Sequence, residues 1–132
     1  MKDGEHELKL FNDMKQVVSY KDGEKHGKET YWYPNGQKAS ESFWENGKME
    51  GESISWTESG VMVQKDTYRN DMLHGKCSIW NEEGQLESEM MFEEGRPFGK
   101  FTHYKDGVKI KEGIAEYPKG ESPYNFDNET IQ

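Results

Sequence analysis

The feature of this sequence that most constrains its fold is a period of 24 residues that runs from Tyr20 to about Gly113. Three columns keep this interval without a break: Gly27, Gly51, Gly75 and Gly99; Trp32, Trp56, Trp80 and Tyr104; and Tyr20, Trp44, Tyr68 and Phe92. Two further glycine columns have one irregular member each, because Gly107 comes one residue early after Gly36, Gly60 and Gly84, and Asp71 interrupts Gly23, Gly47 and Gly95. A fixed period of this length indicates a repeat architecture.

Each repeat contains two short strand-like runs separated by turn residues. The first run follows the glycine of the unbroken column, as in residues 27–33, and is rich in aromatic and β-branched residues. A tight glycine turn such as Pro34-Asn35-Gly36 leads to the second run, residues 37–44, and a longer polar turn over residues 45–50 returns the chain. The pattern predicts an all-β fold: an elongated antiparallel β-meander built from about four 24-residue repeats, with two strands in each.

The chain divides into three segments. Residues 1–19 look like a degenerate repeat, and we expect them to form an N-terminal capping hairpin that turns at Asn12-Asp13. Residues 20–113 hold the four repeats. Residues 114–132 depart from the pattern, and we expect a C-terminal loop or tail in which Tyr124 and Phe126 are candidates for an edge cap over the last strand.

Composition limits the classes of partner. Charged residues make up 33% of the 132-residue chain and the apolar set 31%, a balance that alone would indicate disorder, but the aromatic residues stand in fixed columns. Acidic residues outnumber basic ones by 26 to 17, for a net charge of −9. This charge argues against nucleic acid and against an anionic membrane surface, both of which attract basic proteins. It favours a basic protein partner, or it serves only solubility.

The sequence offers no group that is placed for catalysis or for metal binding. Cys77 is the single cysteine, which excludes a disulfide framework and a zinc cluster of several cysteines. His26 and His74 share a column, but two repeats separate them, so they lie about 20 Å apart and cannot share a metal ion. We therefore predict a protein that is not an enzyme and that has no cofactor. The start lacks the apolar core of a signal peptide and no run reaches membrane-spanning length, so we expect a cytoplasmic protein.

The repeat unit resembles a known family. Residues 22–38 are Asp-Gly-Glu-Lys-His-Gly-Lys-Glu-Thr-Tyr-Trp-Tyr-Pro-Asn-Gly-Gln-Lys, a unit that resembles the MORN repeat and most of all its bacterial variant. The resemblance returns four times over residues 20–113, and the departures at Asp71 and Gly107 predict distorted turns within the same fold. Bacterial proteins built only of this variant resemble the YwqK-type antitoxin or immunity family, so the resemblance implies a protein that neutralises a toxin. Other MORN proteins are scaffolds or bind lipids, which implies a scaffold or lipid-associated interaction module as the alternative.

The acidic residues are most frequent in the two middle repeats, and we expect this region to bind the partner. The candidate binding residues are Glu45, Glu50, Glu52, Glu58, Asp66, Asp71, Glu82, Glu83, Glu87 and Glu89, with Trp56 and Trp80 as aromatic anchors. An acidic mid-sheet surface of this kind would dock on the basic active-site or substrate-binding surface of a cognate protein toxin. The alternative interpretation of the same residues is a solvated acidic face with no partner.

Overall fold

The structure is a computed structural model that describes residues 2–116 as one antiparallel sheet of twelve strands. The strands are β1 (Gly4–Lys9), β2 (Lys15–Lys21), β3 (Glu24–Trp32), β4 (Lys38–Glu45), β5 (Lys48–Met49), β6 (Gly51–Trp56), β7 (Met62–Arg69), β8 (Met72–Leu73), β9 (Gly75–Trp80), β10 (Leu86–Glu93), β11 (Arg96–Lys105) and β12 (Val108–Ala115). Their order in the sheet follows the chain, with β5 paired to β4 and β8 paired to β7. The prediction of an all-β antiparallel meander of repeats is confirmed.

The two aromatic columns lie on opposite faces of the sheet. The indole Nε1 of Trp44 donates to Glu29 Oε1 at 3.0 Å, so these two side chains share a face. Trp32 is three positions beyond Glu29 on β3, and because side chains alternate along a strand, Trp32 points to the other face. Sequence alternation alone does not show this, since both faces mix polar and apolar residues.

Each face is named here after the small or charged residues that accompany its aromatic column. The lysine face carries Trp32, Trp56, Trp80 and Tyr104 with Lys15, Lys28, Lys38, Lys65, Lys76, Lys100 and Lys109, whereas the serine face carries Tyr20, Trp44, Tyr68 and Phe92 with Ser40, Ser42, Ser53, Ser55 and Ser88. No second layer covers either face within residues 2–116. Burial is therefore achieved by neighbouring side chains on the same sheet, and the least exposed residues are Val18, Ala115 and Phe101, at 1%, 1% and 3%.

One edge of the sheet is formed by two-residue turns, which corrects the sequence prediction of a longer polar turn over residues 45–50. Asn46 and Gly47 form the whole turn with φ of 50° and 80°, and Lys48 and Met49 already pair back with β4. Positive φ at both positions is the type I′ geometry, whose twist matches that of the flanking strands. The same turn recurs at Asp22-Gly23, Asn70-Asp71 and Glu94-Gly95. We call this the two-residue-turn edge.

The strand that follows each of these turns begins earlier than predicted. β3 starts at Glu24 rather than after Gly27, and the glycine lies within the strand at φ 101°. In the next two repeats, the residue before the column glycine, Glu50 or His74, interrupts the strand and separates β5 from β6 and β8 from β9. The glycine column therefore marks an irregular point within a strand and not its start.

The opposite edge is formed by three-residue turns at Pro34-Asn35-Gly36, Glu58-Ser59-Gly60 and Glu82-Glu83-Gly84, and we call it the three-residue-turn edge. In the first of them Tyr33 N donates to Gln37 O at 2.8 Å and Gly36 N donates to Tyr33 O at 2.9 Å. The fourth turn is shorter, because Asp106 and Gly107 form a two-residue turn with φ of 51° and 79°. The early position of Gly107 thus reflects a different, regular turn type, and the predicted distortion is absent there.

The two ends of the described sheet differ. β1 and β2 form a hairpin that turns over residues 10–13, with Asp13 at φ 64° in the place that a glycine takes in the later turns. At the other end β12 continues to Ala115, two residues into the segment assigned to the tail. The expected edge cap by Tyr124 and Phe126 lies outside the described residues.

Candidate partner-binding surface

The ten candidate acids do not form one surface. Glu52 and Glu89 lie on the lysine face, where Lys65 Nζ is 3.1 Å from Glu52 Oε2 and Lys76 Nζ is 3.5 Å from Glu89 Oε2. These pairs join neighbouring strands, since the sheet places oppositely charged side chains close together. The negative charge on the lysine face of the middle repeats is therefore largely neutralised, although the repeats themselves are acidic.

Asp66 is on the serine face, apart from the other acids. Its Oδ2 accepts a hydrogen bond from Gln64 Nε2 at 2.7 Å, and it lies near Cys77, which is 8% exposed. Burial raises the pKa of the Cys77 thiol from its ordinary value of 9.0 to about 11. At neutral pH the thiol is thus protonated, which is typical of an inert small core residue and not of a nucleophile.

The same face contains a second polar cluster that is structural. Glu29 is 5% exposed, and its carboxylate binds Lys25 Nζ at 3.0 Å, Trp44 Nε1 at 3.0 Å and Gln16 Nε2 at 2.5 Å. Burial, followed by the charge of Glu29, raises the pKa of the nearby Tyr31 hydroxyl. The buried carboxylate is fully paired, so this cluster offers no free group to a ligand.

Three of the candidate acids belong to the two-residue-turn edge, and two of these hold the backbone. Glu50 Oε1 accepts from the backbone N of Asn70 at 2.8 Å, and Asp71 Oδ1 accepts from the backbone N of Met49 at 3.0 Å. His26 and His74 occupy the column of Glu50 and act in the same way, with Nδ1 accepting from Asn46 N at 3.2 Å and from Glu94 N at 3.4 Å. The column that sequence analysis tested for metal binding therefore caps the turn of the next repeat. The third acid, Glu45, is exposed at the end of β4.

Three exposed candidate acids that make no ion pair with any residue in 2–116 share the three-residue-turn edge: Glu58, Glu82 and Glu83. The half-buried Trp56 and Trp80 end the strands that lead into these turns. We call these five residues the Trp–Glu edge. Glu87 is also exposed, but it lies on β10 beyond that turn. The structure thus brings together five of the twelve predicted binding residues.

The lysines that pack on the tryptophans are not among the binding residues predicted from the sequence. Lys38 Nζ lies 5.6 Å from the ring centroid of Trp32 and 5.7 Å from that of Trp56, and Lys15 Nζ lies 5.5 Å from Trp32 on its other side. These are cation–π distances. In the later repeats, Met62 and Leu86 occupy the position of Lys38. That column, Lys38, Met62 and Leu86, also has an interval of 24, which is the signal that could have revealed the contact.

Two open cavities lie along the three-residue-turn edge, one on each side of Tyr33. The first, of about 540 Å³, is lined by Glu7, Lys9, Asp13, Lys15, Trp32, Tyr33, Pro34 and Gly36. The second, of about 520 Å³, is lined by Tyr33, Thr57, Glu58, Ser59 and Glu82. The Tyr33 hydroxyl donates to the carbonyl oxygen of Trp56 at 2.6 Å, which fixes the shared wall between the cavities.

Two further features bear on the class of site. Within residues 2–116, no three His, Cys, Asp or Glu side chains are grouped so that they could hold a metal ion. The same part of the chain contains no helix with the length and apolarity needed to cross a membrane. What the described surface offers is aromatic and charged contact area along one sheet edge.

Comparison with known families gives three matches to the MORN repeat variant, at residues 25–46, 49–70 and 73–94. The matches begin 24 residues apart, at the interval of the sequence columns, and they end before the hairpin with the shortened Asp106-Gly107 turn. A comparison with curated proteins gives no match. MORN repeats form scaffolds for protein or membrane interaction. The matched residues make up half of the sequence, and the chain belongs to the MORN repeat variant family.

Proposed function

We propose that this chain is an immunity protein, or antitoxin, that binds a cognate protein toxin and neutralises it without performing chemistry of its own. The observation that carries the proposal is the Trp–Glu edge, where three exposed carboxylates stand beside two tryptophans. The resemblance of its repeats to the YwqK-type antitoxins of bacteria supports the same interpretation.

The physical basis is complementary charge. A toxin that attacks nucleic acid needs a basic cleft to attract its substrate. An acidic inhibitor is steered onto such a cleft, and the exposed carboxylates at the sheet edge would meet it before the neutralised faces do. Trp56 and Trp80 would then supply the apolar contact, because tryptophan is frequent among the residues that dominate binding energy. Covering the cleft is sufficient for inhibition.

The proposal places both proteins in the cytoplasm, where such a toxin would reach its substrate. It also implies that the chain binds neither nucleic acid nor an anionic membrane, because its net charge of −9 repels both. No cofactor or metal ion takes part.

The test begins with the tagged chain as bait in the organism that encodes it, followed by identification of the bound protein by its mass. We expect one basic protein that arrests growth when it is expressed alone. Co-expression of this chain should restore growth, and the purified pair should form a complex at moderate salt. A bound protein that is harmless when expressed alone, or a toxin whose effect persists despite co-expression, would contradict the proposal.

A specific observation favours a second candidate, a membrane-associated scaffold. On the lysine face the basic residues outnumber the acids, with Lys9, Lys15, Lys21, Lys28, Lys38, Lys48, Lys65, Arg69, Lys76, Arg96, Lys100 and Lys109 against Glu5, Glu7, Glu24, Glu41, Glu45, Glu52, Glu89, Glu93 and Glu112. This face also exposes Phe43 and Met91. Flotation with vesicles that contain anionic lipid distinguishes the candidates: salt-sensitive binding to vesicles would favour the scaffold, and no binding would favour the immunity protein.

A further inference from the structure

Together the two cavities beside Tyr33 form a groove along the three-residue-turn edge, and because they differ in charge the groove has a direction. In the first cavity the two acids and two lysines balance, and Lys15 Nζ is already 3.3 Å from Glu7 Oε1. Its remaining wall is apolar and aromatic, from Trp32, Tyr33 and Pro34. Among residues 2–116, the second cavity is lined by Glu58 and Glu82 and by no basic residue. A complementary ligand is therefore apolar at one end and cationic at the other.

The repeat sets the spacing at which such a ligand meets the groove. Tyr33, Thr57 and Asn81 precede successive turns two strands apart, so the groove repeats about every 9.4–9.8 Å. A polyproline II helix rises about 3.1 Å per residue with three residues per turn, so every third side chain returns to the same side after about 9.3 Å. An extended β-strand covers a similar distance in three residues but turns every third side chain to the opposite side.

We propose that the three-residue-turn edge binds an extended segment of the partner in the polyproline II conformation, with the pattern Pro-x-x-Arg-x-x-Arg. The proline packs on Trp32, Tyr33 and Pro34, the first arginine reaches Glu58, and the second reaches Glu82. The inference rests on the proposed function in that the chain binds a basic protein, but it does not require that protein to be a toxin.

The test measures fluorescence anisotropy with labelled synthetic peptides and the purified full chain. The probe peptide contains Pro-x-x-Arg-x-x-Arg, and the matched control has the same composition with the two arginines placed next to each other. We expect the probe to bind about two- to fivefold more tightly than the control, the ratio expected when one exposed ion pair is lost. A third peptide tests a helical ligand. It carries its two arginines seven residues apart in a stabilised helix, which places them about 10.5 Å apart along the helix axis.

Protein variants locate the site. Glu58→Gln and Glu82→Gln should each weaken binding of the probe by about two- to fivefold, and higher salt should reduce the difference. Glu45→Gln is the matched control, because Glu45 is also exposed but lies at the two-residue-turn edge. Circular dichroism checks that all three variants fold.

Four results would overturn the inference: equal binding of the spaced and adjacent arginine peptides, tighter binding of the helical peptide, an equal loss in Glu45→Gln, or no binding at millimolar concentration. If the chain still neutralised a toxin in any of these cases, the proposed function would stand and only this mode of recognition would fail. If the chain bound the peptide but neutralised no toxin, this mode of recognition would stand and the proposed function would fail.

Discussion

The carboxylate of Glu50 accepts a hydrogen bond from the backbone N–H of Asn70, with 2.8 Å between Oε1 and N, and this contact joins one repeat to the turn of the next. His26 and His74 make the corresponding contacts one repeat before and one repeat after. Near the N-terminus, Asp3 Oδ1 accepts from Asp22 N at 2.8 Å. The shared requirement at this position is a side-chain acceptor, and the residue type varies.

The first prediction is that acceptors in this column are interchangeable. His26→Glu and His74→Glu should leave the free energy of unfolding nearly unchanged, because glutamate already performs this role at position 50. Glu50→Ala should lower it by about 1 kcal/mol, a usual net contribution of one hydrogen bond. Urea unfolding measures both effects. Glu50→Gln is the control, since it keeps an acceptor oxygen, and a loss in this variant as large as in Glu50→Ala would contradict the capping role.

The second prediction concerns Asp71, which stands where other repeats have glycine. Its φ of 74° costs a side-chain-bearing residue about 1 kcal/mol, while its carboxylate gains a hydrogen bond of similar worth from Met49 N. Asp71→Gly removes both effects, so the free energy of unfolding should change by less than about 0.5 kcal/mol. Asp71→Ala keeps the strain and loses the bond, and it should be destabilised by about 1 kcal/mol. Equal thermal stability of Asp71→Ala and the native chain would show that the hydrogen bond contributes nothing, and equal stability of the two variants would show that the positive φ carries no strain.

The third prediction compares two glycines of the unbroken column. A Cβ added at Gly51 meets no atom within 4 Å, so Gly51→Ala carries only the strain of φ 80°, about 1 kcal/mol. At Gly99 the φ is 109° and an added Cβ would lie 3.3 Å from Met91 Cβ on the neighbouring strand. Gly99→Ala should therefore lower the melting temperature more than Gly51→Ala. The reverse order would mean that Met91 moves away from the added Cβ at no cost, so that the close approach of β10 and β11 contributes nothing.

These glycines also show how much of the fold the sequence predicts. The columns predicted the antiparallel meander and the three-residue turns after Tyr33, Thr57 and Asn81, because a repeat places the same turn chemistry at the same interval. The strand start at Glu24 is not evident from the sequence, because a glycine such as Gly27 is compatible both with a strand boundary and with an irregular point within a strand. The two-residue turn at Asn46-Gly47 was predictable, since Asn-Gly is typical of type I′ hairpins.

The binding surface was less predictable than the fold, for a physical reason. Charge sums identify acidic repeats, but they do not show which acids are paired. Glu52 is neutralised by Lys65, 13 positions away, and only the register of β6 with β7 brings the two together. Irregular pairing also shifts the alternation that would otherwise assign faces from sequence, as on β7, where Gln64 and Met62 pair with the consecutive residues Ser55 and Trp56. Once these pairs are removed, Glu58, Glu82 and Glu83 stand out as the unpaired candidate acids that share the three-residue-turn edge.

The fourth prediction uses the buried thiol. Because the pKa of Cys77 is about 11 in the folded protein and near 9.0 when the thiol is exposed, the folded state holds the proton more tightly. Its contribution to stability is therefore complete below pH 9 and is lost as the pH rises towards 11. Urea unfolding should show that the free energy of unfolding falls more between pH 7.5 and pH 10 for the native chain than for Cys77→Ala. Tyrosines ionise in both proteins and lower the free energy of unfolding of each. An equal fall in the native chain and in Cys77→Ala would therefore show that folding does not raise the pKa of the thiol.

The fifth prediction tests the Trp–Glu edge against the toxin partner. Changing Glu58, Glu82 and Glu83 together to lysine replaces attraction by repulsion, so association should slow by about ten- to a hundredfold at low salt and lose its salt dependence. Stopped-flow measurement of the association rate at several salt concentrations gives both quantities. The matched control changes Glu45, Glu93 and Glu94 to lysine, three exposed acids at or near the two-residue-turn edge, and alters the net charge equally. If both triple variants slow association to the same extent, steering depends on net charge alone and the Trp–Glu edge is only a solvated surface.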